Sequence, residues 1–106
     1  MVNRIAICDD VEVERFVLKR QLMVYFQTNG REAQIQEYES GESLLADIEE
    51  GYIWPDLIFL DIYMGDLNGM DTARKLRDLG VKAPIVFLTA SPDLSLIHIS
   101  EPTRPY

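Results

Sequence analysis

Three uninterrupted apolar runs and one alternating run divide the chain, and helical spacing fills the intervals between them. Arg4-Ile5-Ala6-Ile7-Cys8 stops at two acids and predicts a buried parallel strand. Val11 to about Gln27 follows with helical spacing. Leu18, Leu22, Tyr25 and Phe26 fall at i, i+4, i+7 and i+8 and predict its inward stripe, and Asn29-Gly30 predicts its end. Gln34 to Tyr38 alternates weakly, as an edge strand does. Ser40 is placed to cap a helix through Leu44, Leu45 and Ile48, with Glu42 in its first turn and Gly51 closing it. Asp56-Leu57-Ile58-Phe59-Leu60-Asp61 is a second buried strand. A polar loop, Gly65 to Gly69, leads into a helix whose apolar stripe is Met70, Ala73 and Leu76 and which Gly80 ends. Pro84-Ile85-Val86-Phe87-Leu88 is the third buried strand.

Strands alternating with helices predict right-handed crossovers and a doubly wound parallel sheet with helices on both faces, an α/β fold. A chain of 106 residues holds one such domain. It shows no internal repeat, linker or low-complexity segment.

Composition narrows the function classes. The chain is 47% hydrophobic and 26% charged, ordinary for a globular protein. Its 10 basic and 18 acidic side chains give a net charge of -8, which argues against direct nucleic-acid binding through a broad basic surface. That charge suits a cation or a basic protein partner. Cys8 is the sole cysteine, so no internal disulfide can form, and a reduced, cytoplasmic setting is expected. Neither a signal peptide nor a membrane span is expected from the hydropathy pattern.

Three predicted strands end in polar groups: Asp9-Asp10, Asp61 and Thr89. Ligands of an open parallel sheet bind beyond the carboxyl ends of its strands, so Asp9, Asp10 and Asp61 should converge there despite their separation in sequence. Carboxylates in one crevice repel one another and raise one another's pKa values, a conflict that a divalent cation removes. Hard oxygen ligands favour Mg²⁺.

Ile7-Cys8-Asp9-Asp10, then Phe59-Leu60-Asp61-Ile62-Tyr63-Met64 with Gly69 further on, then Phe87-Leu88-Thr89-Ala90, resemble the receiver domain of bacterial two-component response regulators. The resemblance covers roughly residues 3–93. The run Asp61-Ile62-Tyr63-Met64 with Leu67 to Ala73 is similar to receivers that carry a LytTR-type DNA-binding output domain. The resemblance implies a flavodoxin-like sheet of strand order 2-1-3-4, with a fifth strand and last helices expected to be missing. It also implies phosphorelay signalling rather than enzymatic turnover. Asp61 would be the phosphoacceptor, charged by a sensor histidine kinase. Asp10 and Asp61 would bind Mg²⁺ directly, Asp9 largely through water, and the backbone carbonyl of Tyr63 would be a further ligand. Thr89 would sense the phosphoryl group. The longer protein would regulate transcription through its output domain and could dimerise through its receivers.

Two departures from the family pattern stand out. Gly65 follows Met64 where the family usually has proline, which leaves the loop freer. The lysine that ends the family's fifth strand has no counterpart. Instead, Leu94 to Arg104 matches, residue for residue, a translated reading frame of a sequencing-library adapter. Residues 1–93 are therefore expected to be an incomplete receiver and 94–106 a non-native tail in which His98 has no catalytic role. The strand Ile85–Leu88 is then expected to leave an open apolar edge.

Cys8 is expected to be a small core residue, Trp54 a loop residue at the rim, and Glu12 and Glu14 first-turn acids rather than ligands. Two other functions compete. One is a Mg²⁺-dependent aspartyl-phosphate phosphohydrolase of the haloacid-dehalogenase kind. That class needs Asp-x-Asp after its first strand, and here Asp10-Val11 follows Asp9. The other is a vestigial receiver serving as a binding module.

Overall fold

The structure, a computed structural model, describes residues 2–88 and the backbone of residues 98–100. Its elements in chain order are β1 (Val2–Cys8), α1 (Glu12–Thr28), β2 (Glu32–Tyr38), α2 (Gly41–Glu49), β3 (Leu57–Asp61), α3 (Gly69–Asp78), β4 (Ile85–Leu88) and β5 (His98–Ser100). The sheet order is β2-β1-β3-β4-β5. The first four strands are parallel, as the alternation of strands and helices requires.

The period-two geometry of the strands sorts their side chains onto two apolar faces. Ile5 and Ile7 of β1, Phe59 of β3 and Val86 of β4 pack with Phe26, Leu18 and Leu22 of α1. On the opposite face Ala6, Cys8, Ile58, Leu60, Ile85 and Phe87 pack with Leu44, Leu45 and Ile48 of α2 and Ala73 and Leu76 of α3. β1 and β3 are buried on both faces, which is why they read as continuous apolar runs. β2 lies at the edge and buries only Tyr38 fully, so its signal was faint.

Caps set the helix starts. The Ser40 hydroxyl accepts from Ser43 N at 3.1 Å, and the Asn68 side chain accepts from Asp71 N at 2.9 Å. α3 therefore begins at Gly69, directly after the loop that follows β3.

Several expectations need correction. Tyr25 points out of α1, its ring edge-on to Phe26 at 5.5 Å. Met70 is also exposed, because the inward stripe of α3 is Thr72, Ala73 and Leu76. The outer edge of β4 is not open: His98–Ser100 pairs with it antiparallel, opposing Ser100 to Ile85 and His98 to Phe87. An antiparallel segment of three residues carries no periodicity that a sequence reading could detect. Apart from that backbone pairing, the tail 94–106 lies outside the described residues.

A carboxylate crevice at the ends of the central strands

β1 and β3 are hydrogen-bonded neighbours, and Cys8 opposes Leu60 in their register. The next residues, Asp9 and Asp61, therefore leave the sheet side by side at its carboxyl end. Both are buried, at 2% and 5% exposure. Asp9 is fixed by its backbone and side chain together. Its N–H donates to Tyr38 O at 3.0 Å, its Oδ1 accepts from Val11 N at 2.9 Å, and its carbonyl accepts from Arg15 Nη1. Asp61 Oδ1 accepts from Tyr63 N at 3.0 Å.

The loop that carries Asp61 is held from both sides. Ile62 N donates to Leu88 O at 3.2 Å, tying it to β4, and Gly69 N donates to Ile62 O at 3.0 Å, tying it to the start of α3. Below it, Met64 is buried with its Sδ 3.7 Å from Cys8 Sγ.

Burial pushes the Asp61 carboxyl up to about 6, opposed by the Tyr63 N–H and reinforced by the charges of Asp9 and Asp10 and a hydrogen bond with Asp9. Cys8, beneath the acids, is pushed up to about 12 by burial and then by the charges of Asp9 and Asp61, which makes it an inert core thiol, as its sequence context suggested.

Among the described residues, Asp9, Glu14 and Asp61 each offer a ligand atom, all within 4.8 Å of one another. By its place in the sequence Glu14 is a first-turn acid of α1. Although Glu14 is exposed, its hydrogen bond with Asp9, then desolvation of its carboxyl and the charges of Asp9, Asp61 and Asp10, raise its pKa. The i+5 spacing from Asp9 across a strand end and a helix start gives no warning of this contact. Asp10 is exposed and stands outside that group, although Asp61 feels its charge. Tyr63 is exposed while its N–H holds Asp61. Thr89 lies outside the described residues. Two buried carboxylates with adjacent acids and a raised pKa form a donor set that fits a hard divalent cation.

Residues 5–99 match the response regulator receiver domain, and the chain belongs to that family. It is 28% identical over 97 residues to the chemotaxis protein CheY of Bacillus subtilis, covering 92% of this chain and 75% of CheY. It is 27% identical over 88 residues to the transcriptional regulatory protein YdfI of the same organism, covering 83% of this chain and 38% of YdfI. The chain thus spans well under half of that regulator. Among solved structures it is similar to the response regulator TrrA of Thermotoga maritima in complex with Mg²⁺-BeF, with a TM-score of 0.69 and 32% identity, covering 86% of this chain and 72% of TrrA. It also matches the N-terminal domain of a three-domain response regulator from Carboxydothermus hydrogenoformans, with a TM-score of 0.74 and 25% identity, covering 91% of this chain and 71% of that one. The fold is that of a receiver, and its setting is two-component phosphorelay signalling. Among the described residues, no helix is long and apolar enough to cross a membrane.

Proposed function

We propose that the protein accepts a phosphoryl group on Asp61 from the phosphohistidine of a sensor histidine kinase. A carboxylate oxygen of Asp61 attacks phosphorus and the bond to the histidine nitrogen breaks. The observation that carries this reading is the convergence of buried Asp9 and Asp61 at the ends of adjacent strands, with Asp61 raised to about 6. Phosphoryl transfer needs positioning and charge neutralisation more than covalent assistance. The Tyr63 N–H positions Asp61, and the Gly69–Ile62 bond holds the loop on which it sits.

Asp9, Asp10, Asp61 and the backbone carbonyl of Tyr63 would hold Mg²⁺, with Glu14 close by. The bound cation would supply neutralising charge for the carboxylates and the incoming phosphoryl oxygens. Thr89, directly after β4, would hydrogen-bond the phosphoryl group. The phosphorylated state would then control an output domain, a DNA-binding regulator of transcription in the cytoplasm, in the manner that the names of relatives such as YdfI suggest.

A phosphodonor chase tests the reading against its rivals. After incubation with acetyl phosphate and Mg²⁺, a label that persists at one group per chain supports a receiver. Continuous release of phosphate points to a phosphohydrolase, and absence of label points to a vestigial module.

A further inference from the structure

The opposite end of the sheet carries a second feature that phosphorylation does not use. α2 ends at Glu49, too short to cover the lower halves of β1 and β2. The uncovered surface is a cavity of about 340 Å³ lined by Arg4, Gln34, Gln36, Tyr52, Ile53 and Trp54. Arg4 shares a strand face with Ala6 and Cys8, and Gln34 and Gln36 share one with Tyr38. The cavity is therefore the continuation of the α2 side of the core, with polar side chains where apolar ones would otherwise need covering.

Among the described residues, Arg4 is the sole charged one lining it. Its backbone N–H donates to Asp56 Oδ2 at 2.9 Å, yet among the described residues no acid lies within 4.0 Å of its guanidinium. Tyr52 and Trp54 are exposed at 77% and 49%. Arg, Tyr and Trp are the residue types that most often anchor protein interfaces. β2 borders the cavity and is an edge strand, so its outward N–H and C=O groups are unpaired among the described residues.

We propose that the free edge of β2 and this cavity together form a docking site for an extended segment of a partner protein. The segment adds a strand to β2 and places one acidic side chain against Arg4, with its neighbours against the rings of Tyr52 and Trp54. Charge selects the occupant. Arg4 asks for a carboxylate, while Glu49 and Glu50, immediately before Gly51, disfavour an acidic tract. The preferred segment has a single acid between β-branched residues. The edge distinguishes a peptide from a free carboxylate, because only a peptide satisfies the backbone of β2.

The probe is the blocked pentapeptide Thr-Val-Glu-Val-Thr, titrated calorimetrically and by the fluorescence of Trp54, the only tryptophan. The expected result is saturable binding, a changed Trp54 emission, and slowed amide exchange along β2. The analogue with lysine in place of glutamate, and the Arg4→Gln protein, should each bind about tenfold more weakly. Arg4→Gln should keep the wild-type melting temperature, since the Arg4 side chain is exposed. Equal affinity for the glutamate and lysine peptides, equal affinity for glutarate alone, unprotected β2 amides, or no binding would each overturn the proposal. None of these outcomes bears on Asp61.

Discussion

Gly69 lies so close to the backbone carbonyl of Asp61 that any Cβ at position 69 would overlap it, and would also fall 2.8 Å from Ile62 Cα. The first residue of α3 is thus packed directly under the loop that presents Asp61. Gly69→Ala should force the loop away from β3, a cost of about 1–3 kcal/mol by analogy with overpacked cores. Chemical denaturation should show that loss, and phosphorylation should slow alongside it. A variant with wild-type stability and labelling would show that the loop yields without consequence.

A second close approach joins α2 to α3. A Cβ on Gly41 would collide with Thr72 Oγ1 and reach 3.2 Å from a Leu67 methyl carbon. Thr72 is fully buried, its hydroxyl donating to Asn68 O at 2.9 Å. Gly41→Ala should lower the melting temperature, and adding Thr72→Ala should recover part of the loss by removing the obstructing hydroxyl. Additive losses in the double variant would refute the contact.

The strained acids predict a pH dependence. In metal-free buffer Asp61 has a folded pKa of about 6 against an ordinary value of 3.8, so the folded state holds its proton more tightly than the unfolded one. Stability from this group is present below about 4, falls as pH rises toward 6, and stays low above that. Asp61→Asn, uncharged at every pH, should flatten the fall and raise the melting temperature at neutral pH. An identical pH profile in the variant would mean that Asp61 is not the strained group.

Mg²⁺ should reverse this strain, since a cation that binds only the folded state stabilises it by mass action. The melting temperature at neutral pH should rise with Mg²⁺ and return on chelation. Asp10→Ala should remove most of that rise and Glu14→Ala should preserve it. The opposite pattern would assign the third carboxylate to Glu14, whose ligand atom lies with those of Asp9 and Asp61, rather than to Asp10.

The legible parts of the sequence were those where burial is complete. β1, β3 and β4 announced themselves because both faces of β1 and β3 are covered, and two of them end in acids that β1–β3 pairing necessarily brings together. Ser40 read correctly as a cap because its hydroxyl acts locally. What misled the reading was partial burial. Tyr25 and Met70 fit an apolar stripe by spacing yet face outward, since a stripe wider than the covering sheet leaves its flank in solvent. Phe16, Val17 and Val24 on α1 are exposed as well. Glu14 was invisible as a site residue because its contact with Asp9 depends on where α1 starts relative to β1, a tertiary fact. The β4–β5 pairing is likewise tertiary.

The most direct test of the account is the position of the phosphoryl group. The protein is treated with acetyl phosphate and Mg²⁺, the acyl phosphate is reduced with borohydride, and the modified residue is located by peptide mass spectrometry. The account predicts one modified residue, Asp61, and no label in Asp61→Asn. A label on Asp9, Asp10 or Glu14 in the wild-type protein, or full labelling of Asp61→Asn, would contradict it.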